Sequence, residues 1–259
     1  MTRFVGLAAT GLALCACSSP QVSGDSAPAE HAAGCPHHGE HHGDHHGEHH
    51  ADHHPRPGEN PHKSHNAHHR FQNAEEWVKV FESPERDAWQ RGDAVVAALA
   101  PAKNARIADI GSGTGYFSVR LAKAVPDGKV FGLDIEPDMV RYLNERAARE
   151  KLGNLKSLQA KPNDPSLPEP VDLVLLCDVY HHLGDRQAWL AKLAGQLAPG
   201  ARVAIVDFRM DDIPVGPPKE MRVAPEVMVA ELQQAGFVLQ SRDDKLLPYQ
   251  HLLVFTAAK

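Results

Sequence analysis

From Ala105 onward, short apolar runs alternate with segments whose apolar residues recur at helical spacing, and no other feature of the chain restricts its fold as much. "ARIADI", "GKVFGLDI", "NLKSLQA", "VDLVLLCD" and "ARVAIVDF" read as strands, while "GYFSVRLAKAV", "EPDMVRYLNERAAREK" and "RQAWLAKLAGQL" read as helices. A further helix, "APEVMVAELQQAGF", leads to two closing strands, "FVLQSRDD" and "YQHLLVFTAA". "VDLVLLCD" is apolar almost throughout, as a strand covered on both faces must be. The alternation predicts an α/β fold with a doubly wound, seven-stranded, mostly parallel sheet and helices on both faces. Such sheets bind ligands beyond the carboxyl ends of their central strands. Upstream, "FQNAEEWVKVFESPERDAWQ" predicts a helix, then a second one started by Ser83-Pro84 with Glu85 in its first turn; "DAVVAALA" predicts a third.

The chemistry gathers at the strand ends. "ADIGSGTGYF" sets Asp109, Gly111, Gly113 and Gly115 between a strand and a helix, where glycines let the backbone turn sharply and approach a ligand, and the helix offers unpaired N–H groups. Nineteen residues after Gly115, Asp134 ends the next strand, a place from which a carboxylate accepts hydrogen bonds from both hydroxyls of a ribose. Loop and acid together select a nucleoside ligand over a bare turn. A dinucleotide fingerprint needs G-x-G-x-x-G, and its third glycine would fall on the bulky Tyr116, which argues against NAD.

On these residues the sequence resembles the class I S-adenosylmethionine-dependent methyltransferases of the small-molecule type, whose first motif is D-x-G-x-G-x-G and whose second strand ends in an acid. The likeness covers most of residues 71–259. "LAPGARVAIVDF" is similar to the family's Leu-x-Pro-Gly-Gly turn before the fifth strand, with Ala201 for the second glycine, and "ELQQAGF" recurs ahead of the last two strands. The resemblance implies a Rossmann-like fold and S-adenosyl-L-methionine as cofactor. By position, Gly111 and Gly113 would face its methionine part with Asp109 bonding nearby and Gly115 closing the loop. Asp134 would hold the ribose, Ile135 would pack on the adenine, and Asp164 or Asn163 in "AKPNDPSLP" would lie near the adenine amino group.

The acceptor side is marked by "CDVYHHLGDR", which brings Asp178, Tyr180, His181 and His182 to the functional edge; the quinone-biosynthesis methyltransferases often carry a His-His or Leu-His pair there. Methyl transfer asks the protein for positioning and water exclusion, with a base only where the acceptor loses a proton. His181 is the expected base with Asp178 as the second catalytic candidate, and His182 is expected to pack and cap the next helix. Phe71, Trp77, Phe81 and Trp89 would form either a lid over a small-molecule acceptor or ordinary core. Tyr249, Gln250 and His251 would face the site or only continue the last strand.

The first 70 residues are of another kind. Residues 1–16 hold Arg3 and the short apolar run "FVGLAATGLALCA", sized for a secretory signal, and "LCAC" resembles a bacterial lipobox with Cys17 as the lipidated position. Residues 17–70 are expected to be a flexible tether, and fifteen of the 18 histidines fall between His31 and His69. The repeat "HHGEHHGDHHGEHHADHH" places His37, His38, His41, His42, His45, His46, His49, His50, His53 and His54 in pairs. Neutral imidazoles so spaced on a coil offer interchangeable sites for Zn, Ni or Cu; a solubilising spacer is the alternative. Four cysteines imply no disulfide framework, and a net charge of -6 gives no reason to expect nucleic acid. The expected protein is therefore a methyltransferase held at the bacterial envelope by a lipid, on the periplasmic side of the outer membrane, or cytoplasmic if the signal is not used. The alternative is a non-enzymatic envelope metal-binding lipoprotein with a repurposed fold. Residues 71–259 form the expected methyltransferase domain.

Overall fold

Every residue of strand β4 (Leu173–Cys177) is buried, and its side chains alternate between two separate cores. Leu173, Leu175 and Cys177 join the core on one face of the sheet; Val174 and Leu176 join the other. A strand covered on both sides gains from apolar residues at every position, which is why "VDLVLLCD" lacks the polar alternation of a half-exposed strand. The computed structural model describes residues 71–257. The expected signal, Cys17 and the histidine tract lie outside the described residues, among which no helix is long and apolar enough to cross a membrane.

The seven strands are β1 (Arg106–Ile110), β2 (Lys129–Asp134), β3 (Leu155–Gln159), β4, β5 (Arg202–Phe208), β6 (Phe237–Asp243) and β7 (Gln250–Ala257). They lie in the order β3-β2-β1-β4-β5-β7-β6. β1 to β5 pair in parallel, and β7 runs antiparallel to both β5 and β6. The expected doubly wound, mostly parallel sheet is thus observed. Helices α3 (Gly92–Leu99), α4 (Tyr116–Ala124) and α5 (Pro137–Arg149) cover one face through Val95, Leu99, Phe117, Leu121, Leu143 and Ala147. Helices α6 (Arg186–Gln196) and α7 (Pro225–Gln234) cover the other through Trp189, Leu190, Leu193, Met228 and Leu232. Residues 160–172 carry the chain from β3 to β4 without a helix, since prolines at 162, 165, 168 and 170 deny a helix its backbone donors.

Two short helices precede this unit. α2 (Pro84–Gln90) starts as the sequence predicts, with the Ser83 hydroxyl accepting from the Arg86 N–H at 3.1 Å and Pro84 in the first turn. α1 (Ala74–Phe81) lies on α5: Ala74 and Trp77 bury against Met139 beside Phe71, Phe81 and Tyr142. Polar contacts fasten it. The Asp138 carboxylate accepts from the Ala74 N–H at 2.6 Å, and Arg146 donates to Glu82 at 2.6 Å and to the Thr114 carbonyl at 3.1 Å. Glu82 also accepts from the Thr114 hydroxyl at 2.8 Å, so one half-buried cluster joins α1, α5 and the loop after β1.

Arg146→Met should therefore loosen α1 without unfolding the sheet. We expect a loss of about 2 kcal/mol in urea unfolding and faster proteolytic cleavage within residues 71–83, with the rest of the domain remaining protected.

Candidate active site

The strand order turns at β1 and β4: the chain leaves β1 toward β2 and β3 on one side, and leaves β4 toward β5 on the other. Their carboxyl ends consequently open a crevice between diverging loops. After β1 come the glycines, each at positive φ: Gly111 at 68°, Gly113 at 51° and Gly115 at 95°. Their absent side chains serve three purposes. A Cβ on Gly111 would come within 2.3 Å of Val179 in the loop after β4, and one on Gly115 within 2.3 Å of Leu143 on α5. Those two glycines allow close packing, whereas a Cβ on Gly113 would meet only Phe81, at 3.5 Å. Gly111 is exposed and Gly113 half-buried, so both bring main chain to the crevice, and Gly115 is buried.

Asp134 is joined to that residue. Its Oδ2 accepts from the Gly113 N–H at 2.8 Å and its Oδ1 from the Glu136 N–H at 2.9 Å. At least two of roughly four acceptor positions on the carboxylate are thus occupied by main chain. Burial raises its pKa, opposed by these N–H groups. The next residue, Ile135, is 51% exposed, an apolar ledge beside the acid. Asp109 on β1 is buried and accepts from the Ser118 hydroxyl at 2.6 Å. Burial pushes its carboxyl up to about 7, with the Ser118 hydroxyl pulling the other way. Asp164 turns to its own loop, accepting from the Ser166 N–H at 2.7 Å.

Past β4, Asp178 adopts φ 59°, in a region costly for any residue but glycine and least so for Asp and Asn. Its side chain sits in a ring of polar groups. Arg86 of α2 donates to Asp178 at 3.2 Å and to Gln90 at 3.3 Å, Gln90 donates to Gln250 at 2.6 Å, and Gln250 donates back to Asp178. Gln90 and Gln250 are fully buried, so each bond spares a desolvated polar group. The guanidinium of Arg86 also lies 4.9 Å from the Tyr116 ring centroid and 5.4 Å from that of Phe81. Burial lifts the Asp178 carboxyl to about 6 despite Arg86. Both its oxygens are engaged, so the second catalytic candidate anchors α2 to β4 and β7.

His181 follows in a single helical turn (Tyr180–His182) and is almost wholly buried. Its Nδ1 lies 2.9 Å from Oδ1 and 3.1 Å from Oδ2 of Asp207, near the end of β5. Burial alone would lower the His181 pKa, but the Asp207 charge and hydrogen bond outweigh it and the net shift is upward. Asp207 moves the other way: burial would raise it, yet the His181 partnership and the Phe208 N–H, 2.8 Å from Oδ1, hold it below the usual carboxylate range. With Nδ1 engaged, Nε2 is the nitrogen left for other chemistry. His182 is exposed and packs on the His181 ring at 4.2 Å between centroids, but it caps nothing. The cap of α6 is Asp185, whose carboxylate accepts from the Ala188 N–H at 3.0 Å; an acid bonds a helix N-terminus better than an imidazole does.

The aromatic quartet divides. Phe71, Trp77 and Phe81 stack together over the Gly113 side of the crevice, whereas Trp89 packs toward Phe208 and Tyr249. Sequence reasoning had missed Asp207, Arg86 and Gln90. An acid near the end of the otherwise apolar "ARVAIVDF" was a legible signal for the first; nothing in "SPERDAWQ" told which side of its helix would face the crevice.

Residues 108–203 match the family model described as a methyltransferase domain. Across 72% of this chain and 99% of its own, a SAM-dependent methyltransferase from Aquifex aeolicus superposes with a TM-score of 0.66 at 23% identity. The fold is the SAM-dependent methyltransferase fold. Among curated proteins with this kind of sequence, an uncharacterised methyltransferase of Mycobacterium tuberculosis is 30% identical over 117 residues, which span 45% of this chain and 57% of that protein. The 27-O-demethylrifamycin SV methyltransferase of Amycolatopsis mediterranei is 26% identical over 69% of each chain.

In this methyltransferase fold Asp109 carries a pH dependence of its own. Its carboxyl binds a proton in the folded chain up to about 7, against an ordinary value of 3.8, so the folded state holds the extra proton between those limits and stability falls as pH rises through them. Asp109→Asn keeps an acceptor for Ser118 and removes the charge. Urea unfolding at about pH 5 and about pH 8 should show a flattened profile and a variant more stable than wild type at the higher pH, by an amount on the order of a few kcal/mol.

Proposed function

We propose that the protein is an S-adenosylmethionine-dependent methyltransferase acting on a small-molecule acceptor. The observation that carries this reading is the bond between Gly113 and Asp134, which ties the glycine loop to the carboxylate beside an exposed Ile135. That set fits a nucleoside with a charged tail, with Asp134 accepting from ribose hydroxyls, Ile135 under the purine and Gly113 where a side chain would obstruct. The matched family description and the small-molecule methyltransferase among the relatives support the same chemistry.

When bound, the cofactor supplies a methyl group on a sulfonium, whose departure needs little help. The chain's own residues then orient and shield. Phe81 covers the glycine loop, and the ring of Arg86, Gln90, Gln250 and Asp178 holds α2 in place and water out. On the acceptor side, Asp207 fixes Nδ1 of His181 as a donor, leaving Nε2 to take a proton from a hydroxyl or similar group. A base works only unprotonated, and Asp207 raises the His181 pKa above the ordinary 6.5; turnover should therefore rise with pH through a midpoint above that value.

Calorimetric titration of S-adenosylmethionine into the full chain is the test. Micromolar binding is expected, weakened at least about tenfold in Asp134→Asn and nearly unchanged in His181→Ala, whose turnover should fall by about 100-fold or more. A folded protein that fails to bind would remove this reading and leave the alternative, a non-enzymatic envelope protein whose histidines are the functional part.

The finer reading adds the amino-terminal residues. We propose reversible binding of zinc, nickel or copper by the pairs from His37 to His54, and lipid attachment at Cys17 that holds the protein at the bacterial envelope. The repeated His-His spacing and the lipobox-like "LCAC" support it. Titrating zinc into the full chain at neutral pH should give several sites below millimolar, lost when those ten histidines become Ala; equal binding by both proteins would refute the tract's role.

A further inference from the structure

One titratable group near the acceptor side has no part in the scheme so far. His251 on β7 is wholly buried, and among the described residues neither its Nδ1 nor its Nε2 has a hydrogen-bond partner. Burying an unpaired imidazole costs stability, and a leucine at this place would avoid the cost. In the antiparallel ladder of β5 and β7, His251 stands directly opposite Asp207. Directly paired residues project from the same face with Cβ atoms about 4.5–5.5 Å apart, here the face also occupied by Ile205 and Leu253. Two imidazoles therefore flank one buried carboxylate: His181 bonds it from the loop after β4, and His251 faces it from β7.

We infer that His251 is a positioning residue for the acceptor-side base: neutral and facing Asp207, it lowers the proton affinity of His181 by offsetting part of that carboxylate's field. The inference rests on reading His181 as the proton acceptor. A buried aspartate with His181 as its main counter-group favours the protonated ring, and a protonated base accepts nothing. A neutral imidazole that turns its N–H toward Asp207 stabilises the bare carboxylate and so weakens its demand for a cation, an effect that the low local dielectric magnifies.

The surroundings allow this. His251 is influenced by Asp207 on β5, Asp244 just after β6, Arg242 on β6 and Glu226 on α7, and burial outweighs the acids to lower its pKa. His181 is influenced by Asp207, by Asp178 after β4, by Arg222 ahead of α7 and by the adjoining His182. Of the two rings that share Asp207, His181 is pushed toward protonation and His251 away from it.

The test reads the proton itself and needs neither cofactor nor acceptor. Imidazole Cε1–H resonances of the full chain are followed by NMR against pH, with His181 assigned by its loss in His181→Asn and His251 by its loss in His251→Leu. In wild type, His251 should remain neutral across the range in which His181 titrates. His251→Leu should raise the His181 midpoint by about 0.5–1 pH unit, and His251→Gln, which keeps an N–H donor, should hold it within about 0.2 of wild type. A packing role would move the melting temperature and leave these midpoints alone. An unmoved His181 midpoint in folded His251→Leu overturns the inference, as does a wild-type His251 that gains its proton together with His181. Should the Leu variant fail to fold, His251→Phe takes its place, and the wild-type titration decides independently. Absence of S-adenosylmethionine binding would instead count against the methyltransferase reading and leave the coupling of these two histidines intact.

Discussion

The reversal of strand order at β1 and β4 is the constraint from which the site follows. Two neighbouring parallel strands end at the same edge, and the chain must leave them in opposite directions, so their loops cannot cover the space between. Each loop meets that condition differently. The loop after β1 uses glycines to turn under Val179 and against Leu143, and is tied to β2 by the Gly111 and Ser112 N–H groups, which donate to the Leu133 carbonyl at 2.7 and 3.1 Å. The loop after β4 accepts a left-handed aspartate instead, with two partners that keep it there.

Three buried aspartates at this edge show how partners decide the state of a charge. Asp109 has a hydroxyl for company and is raised to about 7; Asp178 has a guanidinium at 3.2 Å yet still rises to about 6; Asp207 is lowered. Asp109 and Asp207 are buried and Asp178 nearly so, with 17% of its side chain exposed, so burial alone does not rank them. Asp207 differs in having His181 and the Phe208 N–H on the same carboxylate, donors aimed at the charged form. The same crevice thus holds a carboxyl near neutrality and a carboxylate kept firmly ionised within a few strands of each other.

Much of this was legible in the chain. All seven strands were readable because burial on two faces leaves a continuous apolar run and burial on one leaves alternation, and the glycine loop and Asp134 were readable because their spacing has a mechanical reason. What escaped were partnerships between distant positions. Gln90 and Gln250 lie 160 residues apart, and neither carries any mark of the other. The separation of Phe71, Trp77 and Phe81 from Trp89 was hidden for the same reason: the turn at Ser83 redirects the chain, and which core each ring enters depends on what lies beneath. His182 was misread as a cap because Asp185, three residues on, competes for the role and wins by charge.

The position of β7 has a consequence for how the molecule is made. Of the seven strands it is the last to be synthesised, yet it lies inside the sheet, between β5 and β6, and among the described residues β6 has no other strand beside it. A nascent chain can assemble β1 to β5 on the ribosome, but β6 must wait without a partner until the final strand emerges. Gln250 and His251 arrive with that strand, completing the ring around Asp178 and the pair of imidazoles around Asp207. The crevice therefore becomes whole in the same event that closes the sheet, so an unfinished chain carries the glycine loop without Gln250 and His251 beside it.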